Sequence, residues 1–315
     1  MLVSSTKALQ LWDGIQTETQ RTVWRIPLDG KDNMYCVEQL SESTFVGGSW
    51  YGKVRIFDTN LPPKRCESSF QAYNSQRVCE VAPLANRRLA TRSQQEVKIW
   101  DLNQTAKPLL RWEARGSWQP MCAVANGSTL VTGERRKLVS WDLESEKRSE
   151  YNVININRLG EISAICQLGA SEERATVFAV GTTDGGVSLW DTRISATASS
   201  PSCLSRPIAE PRACRGVPWH PIAAIVECDS SPLLAIGQSY QPIRIVDVRN
   251  MNKAAEIQKI PAAKEAIMYS NQLAWLHGGR HLVRCLGSSL LLLGFEEGTY
   301  PPTSLYMSAE SGHSV

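Results

Sequence analysis

The run GGSWYGKV at 47–54 matches the phosphate-loop spacing G-x-x-x-x-G-K, and it is the part of the chain closest to nucleotide chemistry. That chemistry needs a hydroxyl for magnesium after the lysine and a helix amino terminus to receive phosphate. Val54 has no hydroxyl and opens the alternating run VRIFD, so the segment is expected to be a hairpin turn. His277, His281 and Cys285 are spaced by four, as zinc ligands on one helical face would be. Gly278-Gly279 instead marks a turn, and the alternating HLVRCL puts His281 and Cys285 on one strand face without His277. With no C-x-x-C pair and no fourth ligand, no metal centre is expected. There is no G-x-S-x-G nucleophile elbow, and the reading is of a non-catalytic chain without cofactors.

What the chain does contain is a recurring strand ending. LQLWD (9–13), VRIFD (54–58), VKIWD (97–101), LVSWD (138–142), VSLWD (187–191) and IRIVD (243–247) each close an alternating run with a large apolar residue and an aspartate. The apolar residues Trp12, Phe57, Trp100, Trp141, Trp190 and Val246 are separated by 45, 43, 41, 49 and 56 residues, the period of a four-stranded propeller blade. LLLLGFEEG at 290–298 follows as a degenerate seventh unit. In FAVGTTDGGVSLWD, Asp184-Gly185-Gly186 supplies the tight turn between two antiparallel strands.

On these motifs the chain resembles the WD-repeat family of β-propellers. The resemblance implies an all-β fold, a seven-bladed propeller of four-stranded antiparallel sheets over residues 1–308, with a disordered tail at 309–315. The family's pattern also calls for a Gly-His pair upstream of each Trp-Asp. None of His220, His277, His281 and His313 stands there, so the hydrogen-bonded networks inside the blades are expected to be incomplete. Each lost buried bond costs about 1 kcal/mol, leaving tryptophan burial, worth ~3 kcal/mol per side chain, to carry more of the stability.

Cys36, Cys79, Cys122 and Cys166 lie 43, 43 and 44 residues apart in short apolar stretches, and this regularity reads as one position on the innermost strand of successive blades. They are expected to be free thiols. In the first blade MLVSST, ALQLWDG and RTVWRIP read as second, third and fourth strands. Its first strand comes either from TSLYMS at 303–308 or from a part of a longer chain before Met1, which could also hold an F-box. The Ser-, Ala- and Pro-rich segment 195–212 accounts for the stretched interval of 56 and reads as a flexible loop, in which Ser200-Pro201 offers a phosphorylation motif.

A net charge of +3 with 42% hydrophobic and 21% charged residues fits an ordinary globular protein, with no specific nucleic-acid signature. No signal peptide opens the chain, and the apolar run Leu290–Phe295 is too short to span a bilayer. Cytoplasm or nucleus is the expected compartment.

Propellers bind through strand connections. On the blade assignment, one face collects Trp50 and Tyr51, then Arg77 and Arg92, then Arg115, Trp118, Arg135, Arg136 and Lys137. Arginine grips carboxylate or phosphate bidentately beside apolar rings, so this face suits an acidic or phosphorylated peptide. The segment from Phe178 to Arg193 also resembles the docking box by which some WD-repeat proteins bind the propeller adaptor of cullin-RING ubiquitin ligases. That resemblance implies adaptor contact through Asp184, Trp190, Asp191 and Arg193, and a substrate-receptor role. The alternative role is a constitutive scaffold subunit in RNA processing, trafficking or chromatin.

Overall fold

The structure is a computed structural model. It describes residues 2–4, 8–13, 21–27, 33–62, 68–113, 120–123, 127–152, 160–169, 176–192, 221–228, 233–238, 243–248, 255–260, 273–276, 281–286, 289–294 and 303–308. Among them there are strands and turns but no helix, and none is therefore long and apolar enough to cross a membrane.

The chain divides into two compact units, Met1–Arg115 and Gly116–Val315. The first unit holds three antiparallel sheets. One is β1 (Leu2–Ser4), β2 (Ala8–Asp13) and β3 (Arg21–Pro27). The next is β4 (Met34–Gln39), β5 (Thr44–Ser49), β6 (Lys53–Asp58) and β7 (Ser68–Gln71). The third is β8 (Glu80–Leu84), β9 (Arg88–Arg92), β10 (Glu96–Asp101) and β11 (Leu110–Glu113).

The second unit holds four. They begin with β12 (Met121–Ala123), β13 (Thr129–Glu134), β14 (Lys137–Asp142) and β15 (Lys147–Asn152). A three-stranded sheet follows, of β16 (Ile162–Gln167), β17 (Val177–Thr182) and β18 (Val187–Asp191). Then come β19 (Ile222–Glu227), β20 (Leu233–Gln238), β21 (Ile243–Asp247) and β22 (Ala255–Ile260). The last sheet is β23 (Leu273–Leu276), β24 (His281–Leu286), β25 (Ser289–Gly294) and β26 (Thr303–Ser308). In every sheet the strands pair in chain order, as hairpins require.

The expectation of seven four-stranded blades is corrected here, because among the described residues five sheets have four strands and two have three. TSLYMS does not complete the first sheet. It is β26 and pairs along its whole length with β25, from Ser289↔Ser308 to Gly294↔Thr303. A short connection makes that hairpin, and closing a short loop costs far less entropy than bringing chain ends together. The stretch that would continue the β16–β18 sheet, 193–220, lies outside the described residues, as do the proposed flexible loop at 195–212 and the tail at 309–315.

Successive sheets within a unit pack through a repeated device. Gly48, Gly133, Gly181 and Gly237 lie on second strands, and the first three pair with Val54, Leu138 and Val187, each three residues before its repeat's large apolar residue. A Cβ on Gly48 would lie 2.5 Å from Val78, on Gly133 2.7 Å from Ile162, on Gly181 2.5 Å from Ile222, and on Gly237 3.0 Å from Leu273. Each of those apolar side chains stands at or just before the next sheet's first strand, so it fills the bare space over the glycine. The cores that result span neighbouring sheets: one joins Val46, Val54 and Val78 with Leu89 and Trp100, and another joins Val187 and Leu189 with Ile222 and Leu234.

The equal cysteine intervals do not mark one position. Cys122 and Cys166 do share a row, opposite Val131 and Ala179, each of which pairs with the residue before the repeat tryptophan. Cys36 lies two places away, opposite Gly48, and Cys79 precedes β8. Hairpin connections of different length offset one another and leave the sequence interval unchanged. Cys36 is buried, while Cys79, Cys122 and Cys166 are half-buried, and all four are free thiols.

Nor does the missing histidine leave Trp100, Trp141 and Trp190 unbonded. Trp100 Nε1 donates to Thr91 Oγ1 at 2.9 Å, Trp141 Nε1 to Thr132 Oγ1 at 3.1 Å, and Trp190 Nε1 to Ser188 Oγ at 2.6 Å. In the β8–β11 sheet Tyr73 joins this network. Its hydroxyl donates to Thr91 O at 2.8 Å and shares a 2.9 Å bond with Thr91 Oγ1.

Candidate functional site

The run GGSWYGKV forms the β5–β6 hairpin, as its pattern predicts, and not a phosphate loop. Ser49 is fully buried, and its side-chain Oγ accepts from Lys53 N at 3.0 Å while its carbonyl accepts from Val78 N at 2.9 Å. Gly52 has φ +82°, and a Cβ there would meet Tyr73 O at 2.1 Å and Gln76 O at 2.6 Å. Only glycine fits both the conformation and the close approach. The Gly52 carbonyl in turn accepts from Ala72 N and Tyr73 N at 2.8 and 3.0 Å. Gln71 Nε2 donates to Tyr51 O at 2.7 Å and to Tyr73 O at 2.6 Å. The turn is thus bolted to the segment between β7 and β8.

That fixed turn presents Trp50 and Tyr51, which are 49% and 53% exposed. A third ring arrives from β4, where the pairing with β5 shifts between Met34 and Cys36 and leaves Tyr35 without a cross-strand partner. Such a bulge re-aims its extra residue. Tyr35 is 39% exposed, and its ring centroid lies 5.8 Å from that of Trp50 at a tilt of 56°. The guanidinium of Arg77 packs over both rings, 4.8 Å from the Tyr35 centroid and 5.2 Å from the Trp50 centroid. This places a cation against two π faces. Arg77 Nε is buried without a hydrogen-bond partner, and so are Asn33 Oδ1 and Gln76 Oε1. Asn33 is tied to the same cluster, because its carbonyl accepts from Trp50 N at 2.9 Å.

Sequence reasoning brought Trp50, Tyr51 and Arg77 together, and the structure joins Trp50 to Arg77 on the turn that also carries Tyr51. It missed Tyr35, since nothing in MYCVEQL announces a bulge, and Asn33, whose main-chain bond to Trp50 leaves no sequence signal. Arg92 does not join the cluster. Its side chain is 15% exposed and Nε is held 3.2 Å from Glu80 Oε2, in the row where other second strands carry glycine.

Of the second-unit residues, Arg135, Arg136 and Lys137 are exposed at the β13–β14 turn, with Arg135 at φ +55°. Lys137 Nζ is committed to Glu150 Oε2 at 2.5 Å, and Arg148 pairs with Glu134 at 3.0 Å while covering the Trp141 ring at 5.1 Å. Arg115, Trp118 and Arg193 lie outside the described residues.

The described members of the docking box face inward. Asp184, Trp190 and Asp191 are 8%, 1% and 5% exposed. Asp184 Oδ1 accepts from the hydroxyl of Thr182 and from Gly186 N, which shapes the Asp184-Gly185-Gly186 turn. Among the described residues there is no group of three His, Cys, Asp or Glu side chains able to hold a metal, and those of His281 and Cys285 are not described.

No protein-family model matches this chain, and no curated protein matches its sequence. Its backbone is nonetheless similar to solved structures. U3-55K superposes with a TM-score of 0.68 at 15% identity, over 98% of this chain and 91% of the other. The RRP9 WD40 repeats give 0.66 at 14% identity, over 98% and 87%. The β-propeller domain of Cps50 (Swd1) from Myceliophteria thermophila gives 0.67 at 14%, over 88% and 86%. Likeness at such low identity establishes the fold alone: an all-β propeller of antiparallel sheets, five of which have four strands among the described residues.

Proposed function

We propose that this protein is a non-catalytic platform for protein–protein interaction, built into a multiprotein complex as a scaffold subunit. The observation that carries this reading is where the chain leaves apolar surface in water. Among the described residues four large apolar side chains are exposed, and Tyr35, Trp50 and Tyr51 are three of them. Isolated apolar residues at a surface mean little, but aromatic side chains gathered with an arginine have the composition of an interface hot spot. The turn beneath them is held by main-chain hydrogen bonds, so little ordering cost remains when a partner docks.

A photo-crosslinking amino acid at Tyr51 tests the proposal in cells. A discrete partner is expected, and Trp50→Ala should abolish the crosslink while leaving the thermal midpoint unchanged. Crosslinking that is diffuse, or identical in Trp50→Ala, would eliminate the reading. The finer role of ligase substrate receptor now rests on Arg193, since Asp184, Trp190 and Asp191 serve the sheet. A cullin adaptor that co-purifies with the wild type and disappears on Arg193→Ala would be needed to sustain it.

A further inference from the structure

We infer that the Tyr35–Trp50–Arg77 cluster is a receptor for the carboxylate of an aspartate or glutamate in an extended peptide segment of the partner; this rests on the platform reading above. The argument starts from Arg77. Both neighbouring rings lie against its guanidinium, with centroids 4.8 and 5.2 Å from the central carbon, and the group keeps its in-plane N–H bonds as donors. Those bonds match the two oxygens of a carboxylate. No carboxylate among the described residues pairs with Arg77, and Nε is already shielded from water without a partner. The other arginine called to this region in the first unit is neutralised by Glu80. A single unneutralised guanidinium balances a single negative charge and leaves a doubly charged phosphate half-compensated.

The exposed rings around the cluster say what carries the carboxylate. Trp50 and Tyr51, half in water, cover apolar side chains on either side of the acid. The occupant is therefore an acidic residue within an apolar peptide.

The test uses the full chain and an array of acetylated, amidated octapeptides with apolar flanks. Their central residue is Asp, Glu, Asn, Gln or phosphoserine, and hits are titrated by fluorescence anisotropy. Asp and Glu peptides should bind at least about tenfold more tightly than their amide counterparts, and the preference should vanish in Arg77→Met, which keeps a stem against the rings without charge. Arg77→Lys, a point charge lacking the planar fork, should retain only part of it. Tighter binding of phosphoserine than of Asp or Glu overturns the inference, as does an acid preference that survives Arg77→Met. Amide peptides that bind as well as acidic ones, yet lose binding in Trp50→Ala, overturn the carboxylate while leaving the platform standing. Silence across the whole array also overturns it, and the Tyr51 crosslink decides the platform independently.

Discussion

Thr91 is a fully buried polar residue at the centre of a hydrogen-bonded network in the first unit. Its one hydroxyl serves Trp100 Nε1 and the Tyr73 hydroxyl, and all three residues are buried. Thr91→Val keeps the shape, strips Trp100 Nε1 of its partner and leaves the Tyr73 hydroxyl only main-chain acceptors, so it should cost about 2 kcal/mol by urea unfolding. Thr91→Ser, which keeps the hydroxyl, should stay within about 1 kcal/mol. The same network sets a pH dependence. Burial, first among its causes, pushes the Tyr73 hydroxyl above its ordinary pKa, and burial likewise pushes up the Cys36 thiol. The folded chain then holds protons that the unfolded chain gives up. The stability from Tyr73 is whole below its unfolded pKa of about 10 and falls as pH rises beyond it, by up to about 1.4 kcal/mol per unit. Tyr73→Phe should remove that part of the alkaline slope in denaturation curves recorded between pH 9 and pH 11, a range set by the ordinary tyrosine value of about 10. Little of this network was legible beforehand. The absence of a suitably placed histidine pointed to a deficit, but a tyrosine reaching Thr91 from the β7–β8 connection gives no periodic signal.

At the scale of elements, glycines divide into those that permit a conformation and those that make room. Gly52 does both against main-chain atoms, which have nowhere to go, so Gly52→Ala should cost about 3 kcal/mol and blunt the Tyr51 crosslink. Gly48→Ala meets Val78 and Cys36 Sγ at 2.5 and 2.8 Å and should cost about 2 kcal/mol. Gly237→Ala faces the end of the Leu273 side chain at 3.0 Å and should cost less than about 1 kcal/mol, all three being read by urea unfolding. The glycines stand in plain view in FVGG, LVTGE, FAVGT and LLAIGQ, yet their purpose depends on which residue arrives from the next repeat. The bulge that frees Tyr35 recurs where pairing shifts between Ile162 and Ala164 and between Ile222 and Ala224. Ser163, at one of these shifts, uses its hydroxyl to bond Ile222 O at 2.7 Å. Register irregularities of this kind leave composition and periodicity untouched. That is why the turn bearing Trp50 and Tyr51 could be read from sequence while the completed cluster could not.

Over the whole molecule, the Trp-Asp endings specified the hairpin order of the sheets because each strand pairs with its neighbour in sequence. Strand number was another matter: the pattern did not tell which sheet would take TSLYMS. Equal cysteine intervals misled for a related reason, since spacing along a chain is not register across a sheet. Within the second unit, core residues of the β16–β18 and β19–β22 sheets form one cluster that includes Ile222. Ile222→Ala should therefore cost about 3 kcal/mol, and hydrogen exchange should show both sheets losing protection together, by about a hundredfold. The glycine sockets also bear on how such a chain could be edited. Each fit is written half in one repeat and half in the following one, so a transplanted repeat brings a vacancy that its new successor must fill and carries a protrusion cut for its former predecessor. Modules exchanged between homologous chains will therefore be accepted in contiguous pairs more readily than one at a time.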